Sequence, residues 1–129
     1  MSSYHTPVLL EESVELLDIK SNGTYVDLTF GGGGHTRRIL EHLGEGGALY
    51  SFDQDRDTLC NAPQDERFHY VESNFRFLRS QLRLRGVKDG EVDGIIADLS
   101  VRDNIILALQ VMKGFFKPIS QAEAEAFAD

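Results

Sequence analysis

The sequence has little of what marks secreted, metal-clipped or membrane-embedded proteins. A single cysteine, Cys60, leaves no partner for an internal disulfide. Four scattered histidines lack the spacing of a structural zinc site. No run of apolar residues is long enough to cross a bilayer, and Met1-Ser2-Ser3-Tyr4-His5 has neither the basic start nor the apolar stretch of a secretory signal. These absences point to a soluble chain in a reducing cytoplasm, neither exported nor in a membrane. Positive charge is also scarce. Thirteen Lys and Arg stand against 21 Asp and Glu, a formal charge of −8, which opposes the broad attraction behind non-specific nucleic-acid binding. A polynucleotide partner must then use a local patch. What is present, 129 residues with 41% apolar and 26% charged, suits one globular domain with a real core and leaves no room for a second.

Basic residues do gather at Arg76, Arg79, Arg83 and Arg85, among Phe75, Phe77, Leu78, Leu82 and Leu84. The plain reading is the solvated face of a helix whose apolar side packs inward.

Three segments of β-branched, aromatic and apolar residues, bounded by Gly, Pro or Asn, are each followed by a helical pattern, the rhythm of a parallel α/β sheet. Tyr25–Leu28 is the first predicted strand, followed by a helix from about Thr36 to Leu43 that Gly44 caps. Ala48–Phe52 and Phe68–Val71 are the next strands, with a short helix near Arg56–Cys60 between them, stopped by Pro63. A helix through Phe77, Leu78 and Leu82 ends at Gly86, and Val92–Leu99 gives a fourth strand buried on both faces. Ahead of these, Leu10, Val14 and Leu17 are spaced for a helix packing on the sheet. From Arg102 the character changes. Asn104–Met112 reads as an apolar helix, and Ser120 with Glu123 resembles a capping box opening a last helix.

The chemistry concentrates at Asp27-Leu28-Thr29-Phe30-Gly31-Gly32-Gly33-Gly34-His35, a glycine run between a strand and a helix. Four glycines cost backbone entropy, and a turn that needs positive φ or close approach to a ligand justifies them; the alternative is a flexible connection. The amides opening the next helix can face a polar or anionic group. Asp53 closes the second strand, 19 residues past Gly34, where nucleotide-binding α/β domains accept hydrogen bonds from ribose hydroxyls. Taken alone it could be a helix cap, although Asp55 is better placed for that.

A dinucleotide fingerprint counted from Gly31 and Gly33 ends at Thr36 rather than Gly or Ala, an imperfect pyrophosphate motif. Counted from the strand-end acid, Asp27-x-Thr29-x-Gly31-x-Gly33 is similar to the first motif of many adenosylmethionine methyltransferases. Together with Tyr4-His5-Thr6-Pro7-Val8-Leu9-Leu10, Phe52-Asp53-Gln54-Asp55, Ser73-Asn74-Phe75 and Val92–Leu99, it resembles the MraW (RsmH) type of bacterial methyltransferase over residues 4–101. The resemblance implies a Rossmann-like parallel sheet and S-adenosyl-L-methionine as donor. It also implies small-subunit ribosomal RNA as partner, methylated at the exocyclic N4 of a cytidine. It further implies cofactor contacts from Gly33, Gly34, His35, Asp53, Phe75 and Asp98; no metal is expected, from the spacing of the histidines. Phe75 could stack on adenine or belong to the core. Asp98, at the ligand-binding edge of the fourth strand, could instead cap the helix after it. His35 could be a polar residue of the first helical turn.

Past the fourth strand the chain leaves the pattern. Ser100 stands where the family carries glycine and Ile105 where it carries glutamine, and family members are considerably longer. The expectation is a cofactor-binding half domain over 1–101, truncated after about four strands in the order 3-2-1-4, with a divergent helical tail over 102–129. Such a sheet would leave an open apolar edge on the fourth strand, to be covered by residues 102–129 or by pairing two chains as a homodimer. Two functions remain open: a methyltransferase of reduced activity, or a non-catalytic binding or assembly module that keeps the fold. An NAD-dependent oxidoreductase fragment is disfavoured by Thr36 and by the lack of hydride-site residues.

Overall fold

The computed structural model describes residues 10–100 and 105–110. Its centre is strand β1, Thr24–Asp27, with three of its four residues buried. Strands β2 (Ala48–Asp53) and β3 (Phe68–Glu72) follow on one side, and β4 (Gly94–Ser100) and β5 (Ile105–Gln110) on the other, in the order β3-β2-β1-β4-β5. The first four strands are parallel, and the order 3-2-1-4 is the expected one. Parallel neighbours need crossovers, and helices α1 (Leu10–Leu16), α2 (Gly34–His42) and α3 (Leu78–Leu84) occupy the connections and the lead-in. A 3-10 helix, Arg56–Asn61, links β2 to β3, and a second one, Phe75–Phe77, runs into α3.

Strand alternation divides the core in two. Tyr25, Leu49 and Ile96 face α1 and α2, packing with Val14, Leu17, Ile39, Leu40 and Leu43. Val26, Tyr50, Phe52, Val71 and Ile95 face the other way, against Leu82, Val87 and Val92. The same alternation sends Asp27 and Ser51, each two residues past an α2-facing side chain, toward α2. There Thr36 lies on the inward stripe with Ile39, Leu40 and Leu43, so a polar set is buried at one end of an apolar layer.

Two local expectations change. Gly44 does not cap α2 in the left-handed region; the cap is Leu43 in extended backbone. Gly44 is small because a Cβ would strike the Ser21 hydroxyl, and its amide donates to the Ser21 carbonyl at 2.7 Å. Gly86, by contrast, closes α3 at φ +86° as expected. Leu82 of α3 is buried, but Leu84 of the same helix and Phe77 of the 3-10 helix before it are exposed rather than part of an inner stripe.

The largest change is at the C-terminal side. The helix expected over Asn104–Met112 is instead β5 over Ile105–Gln110, antiparallel to β4 with Ile95 opposite Leu109 and Ala97 opposite Leu107. A short apolar run does not distinguish strand from helix by periodicity. The edge of β4 decides it, since a buried central strand with an unpaired side leaves its N–H and C=O groups without partners. The chain's own β5 takes the edge proposed for pairing two copies, so a homodimer is not needed to close it. The capping box at Ser120 and the helix expected there lie outside the described residues.

Candidate functional site

The C-terminal ends of β1, β2 and β4 surround a cavity of about 500 Å³, within the range of small-ligand sites. It lies where the winding of the sheet reverses between β1 and β4, the place where open α/β sheets leave a crevice. Leu28 to Gly32, Gly34 and His35 form one wall, Phe52 to Asp55 a second, and Ser73, Phe75 and Asp98 complete it.

Each wall is held by the chain's own polar groups. The Leu28 amide donates to the Ile96 carbonyl and the Phe30 amide to the Phe52 carbonyl, both at 2.9 Å, so the turn leaving β1 is pinned to both neighbouring strands. Gly31 (φ +51°) and Gly33 (φ +86°) then take left-handed backbone that side chains rarely adopt, and Gly33 starts α2 as an N-cap without any side-chain bond.

Asp53 holds two amides. Its Oδ2 accepts from the Gly31 amide and its Oδ1 from the Asp55 amide, each at 2.9 Å. Asp55 in turn caps the 3-10 helix by accepting from the Asp57 amide, the role its position suggested. Asp98 enters from β4, where its amide donates to Thr29 Oγ1 at 2.6 Å.

Beneath the turn lies Asp27, fully buried. Its Oδ1 accepts from the Thr29 amide at 3.0 Å and its Oδ2 from the Thr36 hydroxyl at 2.8 Å. With Thr36 donating to Asp27, the Ser51 hydroxyl, 2.6 Å away, donates to Thr36. Burial, with the nearby Asp53 and Asp98 charges adding to it, pushes the Asp27 carboxyl up to about 6 against the pull of the Thr36 and Thr29 bonds.

Of the residues singled out from the sequence, Gly34, His35, Asp53, Phe75 and Asp98 come together around the cavity. Gly33 does not line it; it sets the turn, and a Cβ there would strike the Arg37 guanidinium. Phe75 is 43% exposed and therefore not a core residue. His35 is buried in the first turn of α2 although it borders the cavity. Sequence reasoning gives no structural role to Thr36, Ser51, Arg37 or Asn61. The Asp27-x-Thr29 pattern hints at the buried acid, but Ser51 and Asn61 come from distant segments and carry no local signal. Among the described lining residues are three carboxylates, Asp53, Asp55 and Asp98, and no Lys or Arg. The described residues contain no group suited to hold a metal ion and no helix long and apolar enough to cross a membrane.

A parallel sheet of this order, with a glycine turn after its first strand and an acid closing the second, is that of a Rossmann-like α/β domain. The solved structure of a protein-L-isoaspartate O-methyltransferase superposes with a TM-score of 0.55 at 14% identity, over 81% of this chain and 40% of that one, a likeness of fold. Residues 2–116 match the MraW methylase family, and the chain belongs to it. It is 58% identical over 100 residues to the ribosomal RNA small subunit methyltransferase H of Parabacteroides distasonis, which covers 78% of this chain and 32% of that protein. It is 57% identical over 98 residues to the protein of the same name from Flavobacterium johnsoniae, covering 76% and 32%. The chain thus spans about a third of the length of these relatives.

Proposed function

We propose that this chain carries the S-adenosyl-L-methionine site of a methyltransferase that acts in the cytoplasm on N4 of a cytidine in small-subunit ribosomal RNA. The observation that carries the cofactor assignment is the charge of the cavity. Three carboxylates and no described Lys or Arg suit a ligand with a sulfonium and an ammonium group, and oppose the pyrophosphate of a dinucleotide. The RNA assignment is supported by the relatives named ribosomal RNA small subunit methyltransferase H.

The residues present fit such a ligand. Asp53 would accept ribose hydroxyls with the lone pairs its two amide bonds leave open. Phe75, exposed at the rim, would cover the adenine ring. The amides of Gly34 and His35, opening a helix without a side-chain cap, would face the amino-acid carboxylate. Asp98 adds negative charge from β4, held through its amide by Thr29. When bound, S-adenosyl-L-methionine supplies an activated methyl group for an acceptor nitrogen. The chain's share of catalysis is orientation: the pinned walls hold the donor in one place, and fixed geometry supplies most of the rate in such a displacement.

Calorimetry with S-adenosylmethionine and with NAD, on the wild type and on Asp53→Ala, tests the site. The expected result is binding of the first ligand only, weakened about a hundredfold by the substitution, as for lost hydrogen bonds to a charged group. NAD binding, or no binding of S-adenosylmethionine by the wild type, overturns the reading. A methylation assay on unmodified small-subunit RNA separates an enzyme from a non-catalytic binding module.

A further inference from the structure

Four consecutive glycines have no side chains with which to fix their own conformation, so a glycine turn that presents amides to a ligand in one arrangement must be held from outside. Two residues that do not line the cavity do this. Asn61, last residue of the 3-10 helix after β2, donates from Nδ2 to the Gly31 carbonyl at 3.0 Å. Arg37, in the first turn of α2, donates from Nη1 to the Gly32 carbonyl at 2.8 Å, and its Nη2 donates to the Asn61 carbonyl. One guanidinium therefore joins α2, the 3-10 helix and the turn, and the side chain that binds Gly31 belongs to the residue whose backbone it grips. Gly33 makes room for this arrangement, because a Cβ there would collide with the same guanidinium.

The direction of these bonds matters. In a trans peptide the N–H points opposite to the C=O. Drawing the Gly31 carbonyl to Asn61 turns the Gly32 amide to the opposite side, away from Asn61. Gly31 and Gly32 both line the cavity, whereas Asn61 and Arg37 do not. On the other flank, the Gly31 amide is held by Asp53. The turn is gripped on its carbonyls from behind and on one amide from the ribose side, and it leads straight into the uncapped start of α2.

We propose that Arg37 and Asn61 are positioning residues of the cofactor site, a clamp that keeps the glycine turn in its ligand-receiving shape and tunes chiefly the end of the site nearest α2. The proposal rests on the reading of the cavity as an S-adenosylmethionine site. Arg37 is exposed and Asn61 only partly buried, and neither belongs to the apolar core, so both can be replaced without opening a cavity.

The test uses the full chain with Arg37→Ala, Asn61→Ala, the double variant and Arg37→Lys. Three quantities are measured: amide hydrogen exchange over residues 31–34 without ligand, the melting temperature, and affinity for S-adenosylhomocysteine and for 5′-methylthioadenosine, which lacks the amino-acid portion. Each alanine variant is expected to speed exchange in the turn and weaken S-adenosylhomocysteine about tenfold, the loss of one or two hydrogen bonds. Methylthioadenosine should lose less, and the melting temperature should hold. The double variant should lose less than the sum of the singles, because the two residues bond each other. Arg37→Lys, which can reach one carbonyl but cannot bridge two, should recover part of the loss. Unchanged S-adenosylhomocysteine affinity in the variants overturns the clamp, as does an equal loss for both ligands with a fall in melting temperature. Failure of the wild type to bind either ligand overturns the cavity reading and the clamp together, so the two failures are told apart.

Discussion

The two ends of the parallel sheet use aspartate in opposite ways. At the ends where β1 and β2 finish, Asp27 and Asp53 bind backbone amides and, at Asp27, a hydroxyl; Asp53 lines the opening and Asp27 lies buried beneath the turn that borders it. At the ends where β1 and β3 begin, the acids are closed off. Asp93 accepts from the Thr24 amide at 2.9 Å. Asp65 takes the amide, Nε and Nη2 of Arg67, whose Nη1 also donates to the Leu40 and Leu43 carbonyls at the end of α2. The side-chain bonds from Arg67 hold the Asp65 carboxyl down at about 2, while burial holds Asp27 up at about 6. One residue type therefore serves as a closed staple at one end, answered by Arg67 at Asp65 and by the Thr24 amide at Asp93, and as the support of an open crevice at the other.

Removing the buried acid should break the comparison most visibly. Asp27→Ala leaves the Thr29 amide and Thr36 hydroxyl facing an apolar methyl, and should cost about 3 kcal/mol in denaturant unfolding. A loss indistinguishable from that of a surface substitution would show that the walls stand without Asp27. At the closed end, Arg67→Ala should cost about 1–2 kcal/mol by exposing unpaired helix-end carbonyls, with S-adenosylhomocysteine affinity unchanged; altered affinity would mean the ends are not independent. Phe75→Ala should do the reverse, weakening that ligand about tenfold through lost stacking while the melting temperature stays put, since the ring is 43% exposed.

The finest distinction lies in pH. The Asp27 carboxyl titrates near 6 when folded against 3.8 unfolded, so the folded chain holds more protons between those values. Its contribution favours the folded state fully below 3.8 and is lost as pH rises through about 6. In Asp27→Asn that slope disappears, and the stability difference, wild type minus variant, should fall with rising pH across the window. Asp65 works the other way, contributing above 3.8 and losing its contribution as pH falls through about 2, so the two windows do not overlap. A difference curve flat from 4 to 6 would place the Asp27 pKa at its ordinary value.

Much of this was legible in the sequence. The strands β1 to β4 follow short apolar and β-branched runs whose buried faces are set by alternation, and the glycine turn with Asp53 announced the crevice edge because positive φ and a strand-end acid are local requirements. Asp55 and Gly86 fell where their capping chemistry placed them. Ile105–Gln110 was not legible as a strand, because the reason for its extension is an edge contributed by β4. Ser51 and Asn61 were hidden for the same cause: each matters only through a partner brought near by the fold.

The contacts at the two ends of the β1 and β4 pair carry a kinetic consequence. Thr24 binds Asp93, and Thr29 binds Asp98, across separations of 69 residues each, whereas β1 meets β2 at Ala48. Closing the longer separation costs more chain entropy and rewards the chain only once the intervening units are in place. The Asp98 wall is then expected to assemble late, and ligand capture in a refolding experiment should follow the later phases of folding rather than its beginning.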